Sequence, residues 1–354
     1  MSEPLNNQGL GGRVRSASVT LMNINPQLGM WQATGTSLAH APDLTELRVP
    51  EPAAGIEFNA HGHSARTAIR VADGDLVPAA LKSHPALDLS PVPETQGRVK
   101  RRPTFHELYK SEPKEKLGPT ILNGLKAFWK FFCTPSGFCI VIYFLNIVAW
   151  GAMLFFLLLK AAPAMNYPTA DDDDSPRKKW LEIDGQILNA LFCVTGFGLA
   201  PWRFRDFYFL VRVLLFRDAS AMRRLATHNK GWFRPPAWAH EYGGSFSNQG
   251  QNDNHHSDES TEKSAGTFTG NKAPPTAIWK LAFTISMMVL NTAFQAVLCY
   301  YTWAYNRLDR PRWATGTFIG LASGVAAFAG IMSWWEGRKV KKTEGPELKI
   351  VDKV

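Results

Sequence analysis

Twenty-two consecutive residues, Phe138 to Leu159, carry no charge, and Asn146 is their only strongly polar side chain. As a helix they would be about 33 Å long, enough to cross a bilayer and longer than soluble core helices of such uniform apolarity. After an acid run, Asp171 to Asp174, the window Leu181 to Pro201 reads as the return crossing, although Asp184, Gln186 and Asn189 lie in its first half. Leu281 to Trp303 and Trp313 to Trp335 form a second pair with nine residues between them, Ala304 to Arg312. The sequence therefore predicts an all-α membrane protein with four transmembrane helices in two hairpins.

Organisation follows from where the apolar residues are not. Residues 1–112 are rich in Pro, Gly, Ala, Ser and Thr with no sustained apolar period, so a disordered cytosolic tail is expected there. Within it, Arg13 to Ser18 and Arg101 to Thr104 place hydroxyls just after arginines, a pattern kinases can read. Residues 113–240 hold an interfacial helix, the first hairpin (138–159 and 181–201) and a basic juxtamembrane helix. In the interfacial helix Ile121, Leu122, Leu125, Phe128, Trp129 and Phe132 share a face opposite Asn123, Lys126 and Lys130. Such a face suits either the headgroup layer or another cytosolic segment of the same chain. Residues 241–276 read as a disordered cytosolic loop, 277–337 as the second hairpin (281–303 and 313–335), and 338–354 as a basic cytosolic tail.

Charge sets orientation. Fourteen basic residues flank the crossings on the side of the termini and seven on the other, so both termini are expected in the cytosol. The polar start of the chain lacks an apolar signal segment, and the first crossing is expected to be its own insertion signal. The net charge of +9 sits beside the apolar windows, which points to anionic membrane lipids rather than nucleic acid. Cys133, Cys139, Cys193 and Cys299 form no paired-cysteine or Cys/His spacing, so reduced thiols and no metal or other cofactor are expected. His228 has no Asp or His partner near it in sequence, which leaves no catalytic constellation.

Inside the crossings, polar side chains indicate how helices face one another. Asn291, Gln295 and Cys299 recur every four residues, and Gln186, Asn189 and Cys193 do much the same. With Asn146 they are expected to meet inside a bundle. Asp184, about one turn from Trp180, is expected to reach the outer headgroups. Gly316, Gly320 and Gly324 repeat a small-residue spacing that suits close helix contact, either within the chain or between copies of a homo-oligomer. Trp202, Arg203, Arg205 and Asp206 form a candidate juxtamembrane lipid or packing site: a cytosolic-face helix in which Arg203 can pair with Asp206 and the arginines meet lipid, or an extension of the second crossing that packs under the bundle.

Several runs carry a resemblance: Thr134 to Gly137, Tyr143 to Gly151, Ala161 to Met165, Asp184 to Ala190, and Pro201 to Asp206. They resemble a family of fungal integral membrane proteins catalogued as domain of unknown function 2985. The resemblance covers about residues 120 to 340 and implies a fungal multi-pass protein, with no activity, cofactor or catalytic residue attached. The residues favour a non-enzymatic scaffold or adaptor that recruits cytosolic proteins. The alternatives are an oligomeric transporter or channel-like protein for a small solute or lipid, supported by the polar stripes, and a membrane enzyme acting on lipid headgroups.

Overall fold

Long helices form where the apolar windows lie, and their ends are set by local chemistry. The computed structural model describes residues 26, 29–48, 56–70, 76–78, 117–170, 172–241, 267–269, 271–306 and 308–351. Helix α1 is Met30–Ala39 and α2 is Leu44–Leu47; strands β1, β2 and β3 are Glu57–Phe58, Ser64–Arg70 and Leu76–Pro78. Helices α3 (Leu117–Phe132), α4 (Pro135–Leu158), α5 (Pro176–Gly198), α6 (Ala200–Phe216), α7 (Ala219–His228) and α8 (Trp238–Glu241) follow. The chain ends with α9 (Ile278–Ala304), α10 (Arg312–Glu344) and strand β4 (Glu347–Val351). Helices α4, α9 and α10 are long and apolar enough to cross a membrane, and α5 with α6 passes the same test as a pair bent by 44°. The protein is thus a multi-pass membrane protein with three such spans, or four if the bent pair is one.

Thr134 accepts the Gly137 amide at 3.0 Å, and Pro135 opens α4, where a missing N–H costs nothing. Gly137 is required there, because a Cβ would collide with the Phe131 carbonyl. Ser175 caps α5 ahead of Pro176. The bend after Gly198 coincides with Pro201 in the first turn of α6, where the ring cannot continue the hydrogen-bond ladder. Arg217 adopts a left-handed conformation (φ 48°) that ends α6, and Asp218 then caps α7 by accepting the Ser220 amide at 2.8 Å.

The chain divides into two compact units. The first comprises Met1–Gln32, Met153–His228 and Ala282–Ala329; the second comprises Ala33–Ala152, Asn229–Leu281 and Gly330–Val354. The second unit corrects the all-α expectation, because it contains a four-stranded sheet. Strand β2 pairs antiparallel with β1 and β3 and parallel with β4, in the register Ala65↔Glu347 to Ile69↔Val351.

That sheet also corrects two predicted tails. Residues 30–39, 44–47, 57–58, 64–70 and 76–78 are helix and strand, and the basic tail after 338 continues α10 to Glu344 and then forms β4. The physical reason is long-range pairing. Glu46, fully buried, accepts Lys341 Nζ at 2.6 Å and Arg66 at 3.2 Å, and Lys341 also donates to the Ala41 carbonyl at 2.6 Å. Short elements with little local propensity hold because α2 and β2 have partners nearly the length of the chain away. Of the loop 241–276, Thr269 and Thr276 are tied by backbone bonds to Glu344 and Arg234. Residues 242–266 and the candidate kinase sites near Ser16, Ser18 and Thr104 lie outside the described residues.

Candidate functional site: a buried polar spine in the first unit

The predicted stripes on α5 and α9 face each other. Gln295 Nε2 donates to Asn189 Oδ1 at 3.1 Å and lies 3.5 Å from Cys193 Sγ, and the Cys193 and Cys299 sulfurs are 3.0 Å apart as free thiols. Toward one end, Gln186 donates to Glu182 at 2.8 Å and accepts the Trp303 indole N–H at 2.8 Å, while Arg310 donates to Glu182 at 2.9 Å and to the Thr302 carbonyl at 2.7 Å. Toward the other, Gly196 admits the Gln295 side chain, whose Cγ would lie 3.0 Å from an added Cβ, and the Thr292 hydroxyl donates to the Gly196 carbonyl at 3.3 Å.

Arg203 continues this line rather than leaving it. It is 1% exposed, and its Nη1 donates to Asn291 Oδ1 and Thr292 Oγ1 at 2.8 Å each and to the Met288 carbonyl at 3.3 Å. Asn291 in turn donates to the Ala322 carbonyl of α10 at 2.8 Å. Of the two uses expected for this segment, lipid contact and packing, Arg203 takes packing, and its expected pairing with Asp206 is corrected. A guanidinium in an apolar bundle is stabilised by convergent acceptors, and α9 supplies three. Gly29 packs so closely here that a Cβ on it would meet Met288 and approach an Arg203 nitrogen at 3.1 Å.

Asp206, also fully buried, instead accepts from Arg205 Nε at 2.9 Å and lies 2.9 Å from His228 Nδ1. The only sequence trace of this partner is the turn joining the two helices, because 22 residues separate the pair. Their proximity follows from the tight turn at Arg217, which folds α7 back along α6. Arg205 Nη2 also lies 3.1 Å from His228 Nδ1, so that nitrogen either donates to Asp206 or accepts from Arg205, according to tautomer. Trp202 is half-buried, Phe209 is buried, and Phe204 is exposed.

Three other candidates are placed differently from expectation. Asn146 is on the exposed surface of α4 and donates to the Ile142 carbonyl of its own helix at 2.9 Å, which satisfies it without a neighbour. Asp184 is 0% exposed, and among the described residues neither of its carboxyl oxygens has a hydrogen-bond partner, so it does not reach the headgroups. An added Cβ at Gly316, Gly320 or Gly324 would meet nothing within 4 Å, so these glycines do not serve close packing inside the chain. The close helix approach lies elsewhere, where Gly35 of α1 abuts the Gly330 carbonyl of α10 in the second unit.

The second unit has its own polar cluster. His40 and His63 stack with ring centroids 4.4 Å apart, and His40 Nε2 bonds the Gly231 carbonyl at 2.6 Å. Burial, then the neighbouring His63, pushes the His40 imidazole down to about 3. Burial alone would raise Glu347, but its bond to His63 and nearby positive charge hold its carboxyl down at about 2. Asn59 donates to the other Glu347 oxygen at 2.5 Å. Among the described residues, no group of three His, Cys, Asp or Glu side chains is arranged to hold a metal ion.

Residues 130–213 match a family model described as "Protein of unknown function (DUF2985)". That stretch runs from the end of α3 through Val213 of α6, so it contains Asn189, Cys193, Arg203 and Asp206 but not their partners on α7 and α9. No curated protein and no solved structure matches the chain.

Proposed function

We propose that this protein is a non-enzymatic membrane scaffold or adaptor, with a hydrogen-bonded helical bundle as its anchor and the second unit as its docking platform. The observation that carries this reading is the mutual satisfaction of the spine: Gln295 with Asn189, and Arg203 with Asn291 and Thr292, spend their hydrogen-bonding capacity on each other. Groups so engaged hold helices together. The pairing of β2 with β4 supports a folded sheet in the second unit, and on this reading that sheet carries the surface for cytosolic proteins.

Topology supports the same reading. Strands β2 and β4 are hydrogen-bonded neighbours, so residues 64–70 and 347–351 share one side of the membrane and an even number of crossings lies between them. With α4, α9 and α10 crossing once each, this reading takes the bent α5–α6 pair as the fourth. The fourteen-to-seven basic bias favours the cytosol for that shared side, where anionic lipids are concentrated. On the opposite side, Arg177 is spent on the Leu157 and Ala170 carbonyls, and Lys178 and Lys179 lie against Asp173 and Asp174.

A second reading, an oligomeric transporter or channel-like protein for a small solute or lipid, is favoured by Asp184 alone, a buried carboxyl with no bonded partner among the described residues. Proteoliposomes separate the two. Purified protein should give no proton, cation or lipid flux above protein-free vesicles, and in-cell crosslinks to cytosolic proteins should be lost on deletion of residues 347–354 while the chain stays inserted. Flux abolished by Asp184→Asn would replace the scaffold reading with the transporter.

A further inference from the structure

We propose that α3 is a membrane-surface helix whose Leu117, Ile121, Leu125, Phe128 and Trp129 strip enters the acyl-chain boundary of the leaflet in which α4 begins. At 100° per residue these side chains span one arc of the helix, and they are unpacked: Ile121 is 71%, Leu125 64% and Trp129 63% exposed. The opposite flank is committed to the second unit. Thr120 and Ala127 are buried, Asn123 Nδ2 donates to the Leu47 carbonyl at 3.1 Å, and Lys130 Nζ donates to the Ile56 carbonyl at 3.2 Å. The sequence left two uses open for this amphipathic helix, lipid or its own chain. The structure gives its polar and small flank to the chain and leaves the apolar strip uncovered.

Lipid is the occupant because of where α3 ends. Only Cys133 and Thr134 separate it from α4, and this junction is stiff: the Thr134 amide bonds the Phe131 carbonyl at 2.9 Å, the Phe138 amide bonds the Thr134 carbonyl at 2.9 Å, and the Phe132 and Phe138 rings lie 5.5 Å apart. The strip therefore runs on into the outward surface of a span, where Phe138 and Ile142 are exposed in the same way. Other span ends in this unit carry interfacial signatures. Trp279 opens α9 with Lys280 over its ring, and Trp334 and Trp335 lie in the last third of α10 under Arg338 and Lys339. A helix with Trp, Phe and Leu on one face and Lys on the other lies in the interface plane with its apolar face at the acyl boundary. Since its other flank holds α2 and β1, it would fix the folded second unit against the bilayer.

This inference does not depend on the scaffold reading, and its test reads depth rather than partners. Full-length protein with Cys133→Ser and Cys139→Ser is labelled with an environment-sensitive fluorophore at Leu125→Cys or, separately, at Lys126→Cys. It is then placed in nanodiscs of phosphatidylcholine and phosphatidylserine with or without spin-labelled acyl chains, and the two-serine variant alone controls for label on Cys193 and Cys299. Position 125 should be quenched several-fold more by the lipid spin label than position 126, and should resist aqueous iodide. Equal iodide quenching at both positions would place the strip in water and overturn the proposal. Protection of position 125 from both quenchers would overturn it in favour of a protein cover, such as a second copy of the chain.

Discussion

The two units bury polar side chains by different rules. In the first, partners sit on long helices and recur at helical spacing: Asn189 and Cys193 meet Gln295 and Cys299 across two parallel rows. In the second, Glu46 on the short helix α2 meets Lys341 in the last turn of α10, 295 residues away, and both are essentially excluded from solvent. A row of neutral hydrogen bonds tolerates the loss of one member, because the remaining groups can re-pair. A buried ion cluster does not, because a charge that loses its main partner there is not re-solvated by water. The row between α5 and α9 should therefore degrade gradually under substitution and the Glu46 cluster abruptly.

The largest effect should come from Glu46→Ala, which strands Lys341 and Arg66. Breaking a buried pair by removing one partner costs about 3–5 kcal/mol. Limited proteolysis of the protein in detergent should then cut the second unit, while α5, α6 and α9 stay protected. Lys341→Met should be milder, since Arg66 still faces Glu46. Equal sensitivity of both units to Glu46→Ala would erase the distinction between them.

Acid should make a similar cut without mutation. With His40 held near 3 in the folded chain against 6.5 unfolded, the unfolded state binds the extra proton as pH falls, so stability is full above about 6.5 and declines below it. Between pH 7 and 5 this amounts to about 2 kcal/mol for His40 alone. Glu347 adds a further loss only between about 4.5 and 2. Protease protection of the second unit at pH 7 and 5 measures the loss, and His40→Gln, which keeps a donor for the Gly231 carbonyl, should flatten it.

Next in size is Gly35→Ala, whose methyl group would press on the Gly330 carbonyl and cost about 1–3 kcal/mol by overpacking. Below it stands Gln295→Leu in the first unit. Interhelical hydrogen bonds in membranes average about 0.6 kcal/mol, so the melting of the bundle should shift by a few degrees at most. A collapse on Gln295→Leu would show that the spine is as brittle as the ion cluster.

What could be read from the sequence divides along the same line. Apolar windows located α4, α9 and α10, and four-residue periodicity located the α5 and α9 stripes, because both signals lie within one element. Asn146 was misassigned because a lone amide in a helix can bond back to its own turn, and nothing local distinguishes that from an interhelical bond. For Arg203, charge at the end of an apolar window suits lipid contact as well as packing, and the acceptors that decide between them lie on α9, more than eighty residues on. The Asp206 and His228 pair had a faint signal: two helical segments joined by a tight turn bring residues of facing sides together. For β2 with β4, and for Glu46 with Lys341, there was no local signal at all.

The smallest expected effect falls on the sequence's most recognisable packing motif. Gly316, Gly320 and Gly324 face open space, so alanine at each should leave the fold intact and, through helix propensity, could gain up to about 1 kcal/mol per site. Gly35 and Gly330, which belong to no such repeat, are where backbones approach. The pair Gly35→Ala and Gly320→Ala therefore tests directly whether glycine spacing or observed contact decides tolerance. Thermal stability of the two variants in the same detergent should fall for the first and hold for the second. Crosslinking of Gly320→Leu in membranes adds the remaining comparison. An unchanged ladder is expected if the stripe meets only lipid, whereas loss of a dimer band with an unchanged monomer fold would assign the open face to contact between copies and leave the internal packing as described.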